Sequence, residues 1–139
     1  MLYFIPTPIG NLEDISLRAI RILRECEIAI CEDTRVCKSL INLLNERFEA
    51  SINISKFIPL HTHNENDFFV NLSDDFFSKN VAYMSDAGMP GISDPGVSLV
   101  RYAQKNNIEY EILSGANAAL LSVVASGLCD KEFVFLQYL

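Results

Sequence analysis

Five short apolar runs, each followed by a helical pattern, constrain this chain more than any other feature of its sequence. They cover residues 2–5, 28–31, 57–60, 81–84 and 110–113. Strand-length runs alternating with helices are the pattern of βαβ units. The expected fold is therefore α/β: a five-stranded, mainly parallel sheet with helices on both faces. A length of 139 residues is enough for one domain with a real core.

Between the runs, the apolar spacing is helical. The first helix carries Ile20 and Leu23 inward and takes its cap from Asp14 or Ser16. The second shows Cys37, Leu40, Ile41 and Leu44, an i, i+3, i+4, i+7 stripe. Residues 49–56 are polar and weakly patterned, and read as a loop. Pro59 makes the third run an edge or irregular strand. Phe68, Phe69, Leu72 and Phe76 form the core-facing side of the next helix. Leu99, Val100 and Ala103 mark the helix after the fourth run, which Asn106-Asn107 ends. Residues 118–128 read as a buried helix rich in small side chains. Residues 133–139 look like one more strand, with nothing after it to pair. The expected organisation is thus an α/β domain over 1–130 and, over 131–139, the first strand of a second domain otherwise absent from the sequence.

One connection is unlike the others. Residues 85–96 read Ser-Asp-Ala-Gly-Met-Pro-Gly-Ile-Ser-Asp-Pro-Gly, with only Ala87, Met89 and Ile92 apolar. Glycine reaches backbone angles closed to other residues and proline locks φ, so the stretch is suited to a rigid, close-fitting loop. Asp94 as N-cap with Pro95 at the first helical position explains its end but not Asp86–Pro90 upstream. In a parallel sheet the residues past each strand's carboxyl end share one edge, where open α/β proteins bind ligands. That edge gathers Gly10, Asn11, Glu32, Asp33, His61, His63, Asp86, Gly88, Asp94, Gly115 and Asn117. Carboxylates, backbone carbonyls and the apolar walls of Met89 and Ile92 suit a small cationic ligand, drawn to Asp86 by Coulomb attraction.

Several chemistries are disfavoured. The first turn, Thr7-Pro-Ile-Gly-Asn11, has one glycine and no G-x-G-x-x-G, and neither a P-loop nor a G-x-S-x-G elbow is present. A net charge of −7 argues against broad nucleic-acid binding, although Arg18, Arg21 and Arg24 share one side of a helix. The cysteines Cys26, Cys31, Cys37 and Cys129 form no C-x-x-C, as expected of free thiols in a reducing cytoplasm. No run approaches a membrane span, and the N-terminus lacks the marks of a signal peptide. No resident metal is expected. His61-Thr-His63 with Asp86 and Asp94 keeps a metal-dependent hydrolase open as a rival reading.

Four motifs in register carry a resemblance: Thr7-Pro-Ile-Gly-Asn-Leu-Glu-Asp14, Glu32-Asp-Thr-Arg35, His61-x-His-Asn-Glu65 and the 85–96 loop. Together they resemble the tetrapyrrole-methylase family, and most of all its branch that 2′-O-methylates a cytidine of 16S ribosomal RNA in the small ribosomal subunit. The resemblance implies a two-domain α/β protein, usually a homodimer, with S-adenosylmethionine in the cleft between domains. It implies cofactor contacts from Gly10, Asn11, Ala87, Gly88, Met89, Ile92, Asn117 and Ala118, which Asp86 joins by its charge; Arg18, Arg21, Arg24 and Arg35 are the RNA-contact candidates. Where the family usually has Pro-Gly-Pro-Ser-Ala, this chain has Ser114-Gly-Ala-Asn-Ala118, a less rigid loop. For the hydroxyl proton, the ionisable candidates are Asp86, Asp94, Glu32 and His61. The chain alone is expected to bind the cofactor weakly and to transfer no methyl group. Two further alternatives stay open: methylation of a corrin or porphyrin ring, and a binding module without chemistry.

Overall fold

The computed structural model describes residues 1–136. Five strands form one sheet: β1 (Leu2–Phe4), β2 (Ile28–Cys31), β3 (Lys56–Pro59), β4 (Val81–Met84) and β5 (Tyr110–Ile112). Their order is β3-β2-β4-β1-β5, and every neighbouring pair is parallel. Five α-helices connect or follow them: α1 (Leu17–Glu25), α2 (Thr34–Phe48), α3 (Glu65–Val70), α4 (Gly96–Lys105) and α5 (Ala118–Ser126).

Strand periodicity divides the core into two layers. Ala29, Cys31, Ala82 and Met84 face one side, packed with Ile20 and Leu23 of α1 and Ile41 and Leu44 of α2. Their alternates, Ile28, Ile30, Val81 and Tyr83, face the other side with Phe68 of α3 and Leu99 and Ala103 of α4. Both faces of the sheet are thus covered, as all-parallel sheets require.

The order also locates a topological switch point. The β1-to-β2 connection passes β4, the β4-to-β5 connection passes β1, and the helices in them, α1 and α4, lie on opposite faces. The chain therefore diverges between the adjacent strands β1 and β4, leaving a crevice beyond their carboxyl ends.

Ser16 caps α1, its side chain accepting the Ala19 N–H at 3.0 Å. Pro59 sits in the edge strand β3, where its missing N–H disrupts no interior ladder. The stretch after α2 forms the expected loop, yet it buries Ala50, Ile52 and Ile54. Asn45 fixes this loop by bonding both backbone groups of Ile52, at 2.8 and 2.9 Å. The aromatic helix is shorter than its spacing implied. It stops at Val70, and Phe76 belongs to a separate 3₁₀ turn, Phe76–Ser78.

The main correction concerns α5, which buries none of its residues. Leu120 and Leu121 are exposed and Val124 is 79% exposed. This helix follows the edge strand β5, so an apolar composition alone did not give it a covering neighbour. Residues 132–136 have no regular secondary structure, and 137–139, the rest of the expected last strand, lie outside the described residues.

Candidate functional site

Past the end of β1 the chain turns against the loop that leaves β4. Thr7 and Gly88 form an antiparallel bridge, exchanging backbone hydrogen bonds of 3.0 and 3.1 Å. The Thr7 hydroxyl donates to the Ser85 carbonyl at 3.3 Å, and the Ser85 hydroxyl to the Gly88 carbonyl at 3.2 Å. Gly88 has φ +80°, and a Cβ there would stand 3.1 Å from Ile9 Cγ2, so no larger residue fits without strain. The Gly10 bend and the Asp86 turn are therefore tied side by side.

The far half of the loop is held by one carboxylate. Asp94 accepts the Tyr83 hydroxyl at 2.8 Å, the Gly91 N–H at 2.9 Å and the Gly96 N–H at 2.7 Å. The structure starts α4 with Pro95 at the cap position, and Asp94 lies one residue before it, still serving the helix's first N–H. Burial and the Asp94 charge push the Tyr83 phenol well above its usual range, so it remains a donor.

These turns enclose a cavity of about 560 Å³ at the β1/β4 switch point. Of the expected cofactor residues, Gly10, Ala87, Gly88, Met89, Ile92, Asn117 and Ala118 line it. Asn117 also caps α5, accepting the Leu120 N–H at 3.0 Å, which fixes that wall. Two expected residues are elsewhere. Asn11 turns away to accept the Glu13 N–H at 3.0 Å. Asp86 accepts the Asp33 N–H at 3.0 Å and lines a second cavity, of about 480 Å³, with Thr7, Pro8, Asp33 and Arg35.

Ser93, Ser122 and Phe135 line the first cavity and are not among the expected cofactor residues. Ser122 lies four residues after Ala118, on the same side of α5, so helical spacing was the signal available. Nothing in the sequence around Phe135 pointed to the cavity.

The remaining ionisable candidates are dispersed along the rim. Burial, then the charges of Asp86 and Asp94, raise the Glu32 carboxyl above its usual range. His61 lines neither cavity. Its backbone N–H donates to Asn64 at 2.8 Å, its Nδ1 is buried without a partner, and its ring lies 6.1 Å from that of His63. Among the described residues, no three His, Cys, Asp or Glu side chains are grouped to hold a metal ion. The hydrolase reading also needed Asp86 and Asp94, and both already accept hydrogen bonds, Asp86 from the Asp33 N–H and Asp94 from Tyr83, Gly91 and Gly96.

The arginine row is also occupied. Arg18 pairs with Glu111, Arg21 with Glu25 at 3.7 Å, and Arg24 donates to the Ala50 carbonyl. Arg35 is different: its guanidinium clasps Asp33 through Nε and Nη2, at 3.2 and 2.8 Å, while its side chain stays 89% exposed. That partner lowers the Asp33 carboxyl to about 2.

Comparison with known proteins gives this geometry a context. The whole chain is 59% identical to the ribosomal RNA small subunit methyltransferase I of Campylobacter fetus subsp. fetus, of which it covers 52%. It is 48% identical to the protein of the same name from Helicobacter pylori strain 26695, covering 51% of that protein. The counterpart from Halalkalibacterium halodurans is 43% identical over 99% of the chain and 46% of its own length. The chain thus spans about half the length of the curated relatives it matches. Its fold matches the crystal structure of uroporphyrin-III-C-methyltransferase from Thermus thermophilus with a TM-score of 0.61 at 18% identity, over 92% of this chain and 53% of that one. The family model for tetrapyrrole (corrin/porphyrin) methylases matches residues 1–133, and the chain belongs to that family.

Proposed function

We propose that this chain forms the cofactor-binding half of an S-adenosylmethionine-dependent methyltransferase acting on small-subunit ribosomal RNA, at the 2′-oxygen of a cytidine. The observation that carries the reading is the first cavity, which opens at the switch point where doubly wound sheets take their ligands. Its volume of about 560 Å³ is in the range of small-molecule sites.

The residues present fit the cofactor. Met89, Ile92 and Ala118 offer apolar surface for an adenine ring, and Asn117, Ser93 and Ser122 offer polar groups for a ribose or an amino-acid tail. Gly88 lines the wall without a side chain, and a Cβ there would crowd Ile9. When bound, the cofactor supplies an electrophilic methyl on a positively charged sulfur. The chain's part is to hold that group and keep its acceptor in line, because orientation is the largest contribution open to it. The hydroxyl proton needs an acceptor. Of the four candidates, Asp86 is favoured, because it lines the second cavity whereas the Asp94 carboxylate is committed to Tyr83, Gly91 and Gly96.

The acceptor follows from the names of relatives 43–59% identical to the chain, which favour ribosomal RNA over a tetrapyrrole ring. A cytoplasmic homodimer completes the reading. The buried free thiols Cys26, Cys31 and Cys37 suit a reducing compartment, and the exposed apolar residues of α5 are surface that a partner can cover.

A cleft with walls from one half of such a protein lacks part of its contacts. Calorimetric titration with S-adenosylhomocysteine is expected to give a dissociation constant of about 1 mM, roughly −4 kcal/mol. No methyl transfer is expected from the chain alone. Low-micromolar binding would contradict the half-cleft reading, and no binding at 10 mM would contradict the cofactor reading itself.

A further inference from the structure

The second cavity neighbours the first. Pro8 lines both, and of two consecutive residues Asp86 lines the second and Ala87 the first. A direct transfer needs its reacting atoms about 3–3.5 Å apart, so an acceptor must sit in a space adjoining the donor's. We infer that the second cavity is the acceptor subsite and takes a ribonucleotide. This inference rests on reading the first cavity as the donor site.

The chemistry of the walls points to that ligand class. Val36, Leu40 and Leu43 of α2 present a partly exposed apolar surface, the kind of wall a base packs on. Asp86 commits one oxygen, Oδ1, to the Asp33 N–H, which leaves Oδ2 to accept from a ribose hydroxyl. Asp33 occupies Nε and Nη2 of Arg35, which leaves Nη1 of this exposed, cavity-lining side chain to donate to a flanking phosphate. The Asp33–Arg35 pair is internally neutral and Asp86 leaves the cavity one net negative charge. A polyanion is therefore not drawn in by the field alone; fit to base and ribose selects the ligand.

The test is amide-resolved NMR on the 139-residue chain. S-adenosylhomocysteine is titrated first, then cytidine 5′-monophosphate or its 2′-deoxy analogue. The nucleotide is expected to shift the amides of Arg35, Val36, Ser39 and Leu43, with the deoxy analogue at least about threefold weaker. Leu43→Glu, at a half-exposed position, should abolish these shifts and leave those of S-adenosylhomocysteine unchanged. Arg35→Ala, which removes no core contact, should weaken the nucleotide severalfold. Nucleotide shifts confined to Met89, Ile92 and Asn117, equal binding of the two nucleotides, or indifference to both substitutions would overturn the inference. If S-adenosylhomocysteine shifts nothing around Gly88 while the nucleotide still shifts α2, the ribonucleotide site stands and the donor reading fails.

Discussion

The buried Tyr83 hydroxyl donates a 2.8 Å hydrogen bond to Asp94, tying the last turn of β4 to the loop that leaves it. Through this contact a core side chain sets the position of a surface loop. The same carboxylate takes the N–H groups of Gly91 and Gly96, so three segments meet at one group. Tyr83→Phe removes the hydroxyl donor and leaves the part-buried Asp94 Oδ1 with the Gly91 and Gly96 N–H groups alone. Hydrogen bonds to charged groups contribute about 1.5–3 kcal/mol. The variant should lose about 2 kcal/mol in urea unfolding at an unchanged m-value, and bind S-adenosylhomocysteine more weakly.

Gly115 offers a steric test of the same edge. A Cβ at this position would stand 2.4 Å from Pro6 Cβ and 2.8 Å from Pro6 Cγ, and a proline ring cannot swing aside. Gly115→Ala should cost about 1–3 kcal/mol, the usual range for overpacking. Gly127→Ala meets no atom within 4 Å and carries only the strain of φ +63°. It should cost about 1 kcal/mol, so the difference between the two variants isolates the Pro6 contact.

Glu32 makes stability depend on pH. Its folded-state pKa is raised by burial and by Asp86 and Asp94, so the native state holds this proton more tightly than the unfolded chain does. The stabilisation is complete below the ordinary glutamate range and is lost as pH rises through the raised value. Glu32→Gln should therefore be more stable than the parent at pH 7 and nearly equal to it at pH 4, measured by thermal unfolding. Asp33 has the opposite sign. Held by Arg35 at about 2, against an ordinary 3.8, it favours folding above the ordinary range and loses that effect as pH falls towards 2.

Salt dependence separates the arginines. Arg18, Arg21 and Arg24 are engaged with Glu111, Glu25 and the Ala50 carbonyl, while Arg35 keeps outward donors. For a short single-stranded RNA, log K should fall with log salt at a slope of about −0.7, the value for one phosphate contact. Arg35→Ala should flatten the slope and Arg21→Ala should leave it unchanged. A slope of about −2 or steeper would return the helical row to the interface.

The strands and the switch-point edge were legible because their signals are local. Apolar runs, the spacing from Cys37 to Leu44, and the glycines and prolines of 85–96 each report on their own backbone. Most of the first cavity followed, since seven expected residues line it. What sequence did not carry was the side of the wall each residue faces. Asp86 and Ala87 are neighbours in sequence yet serve different cavities, because the Thr7–Gly88 bridge sets the direction of that turn. The exposure of α5 was hidden for a related reason. Its composition is that of a core helix, but burial depends on a neighbour, and none of the described elements buries it.

The cavity between the Gly10 bend and the 85–96 loop is proposed to hold S-adenosylmethionine. The most direct measurement is a crystal structure of this chain soaked in S-adenosylhomocysteine at concentrations well above 1 mM. The expected result is the adenine against Met89 and Ile92, with the ribose or tail reaching Asn117. Ligand density anywhere else, with this cavity empty, would contradict it.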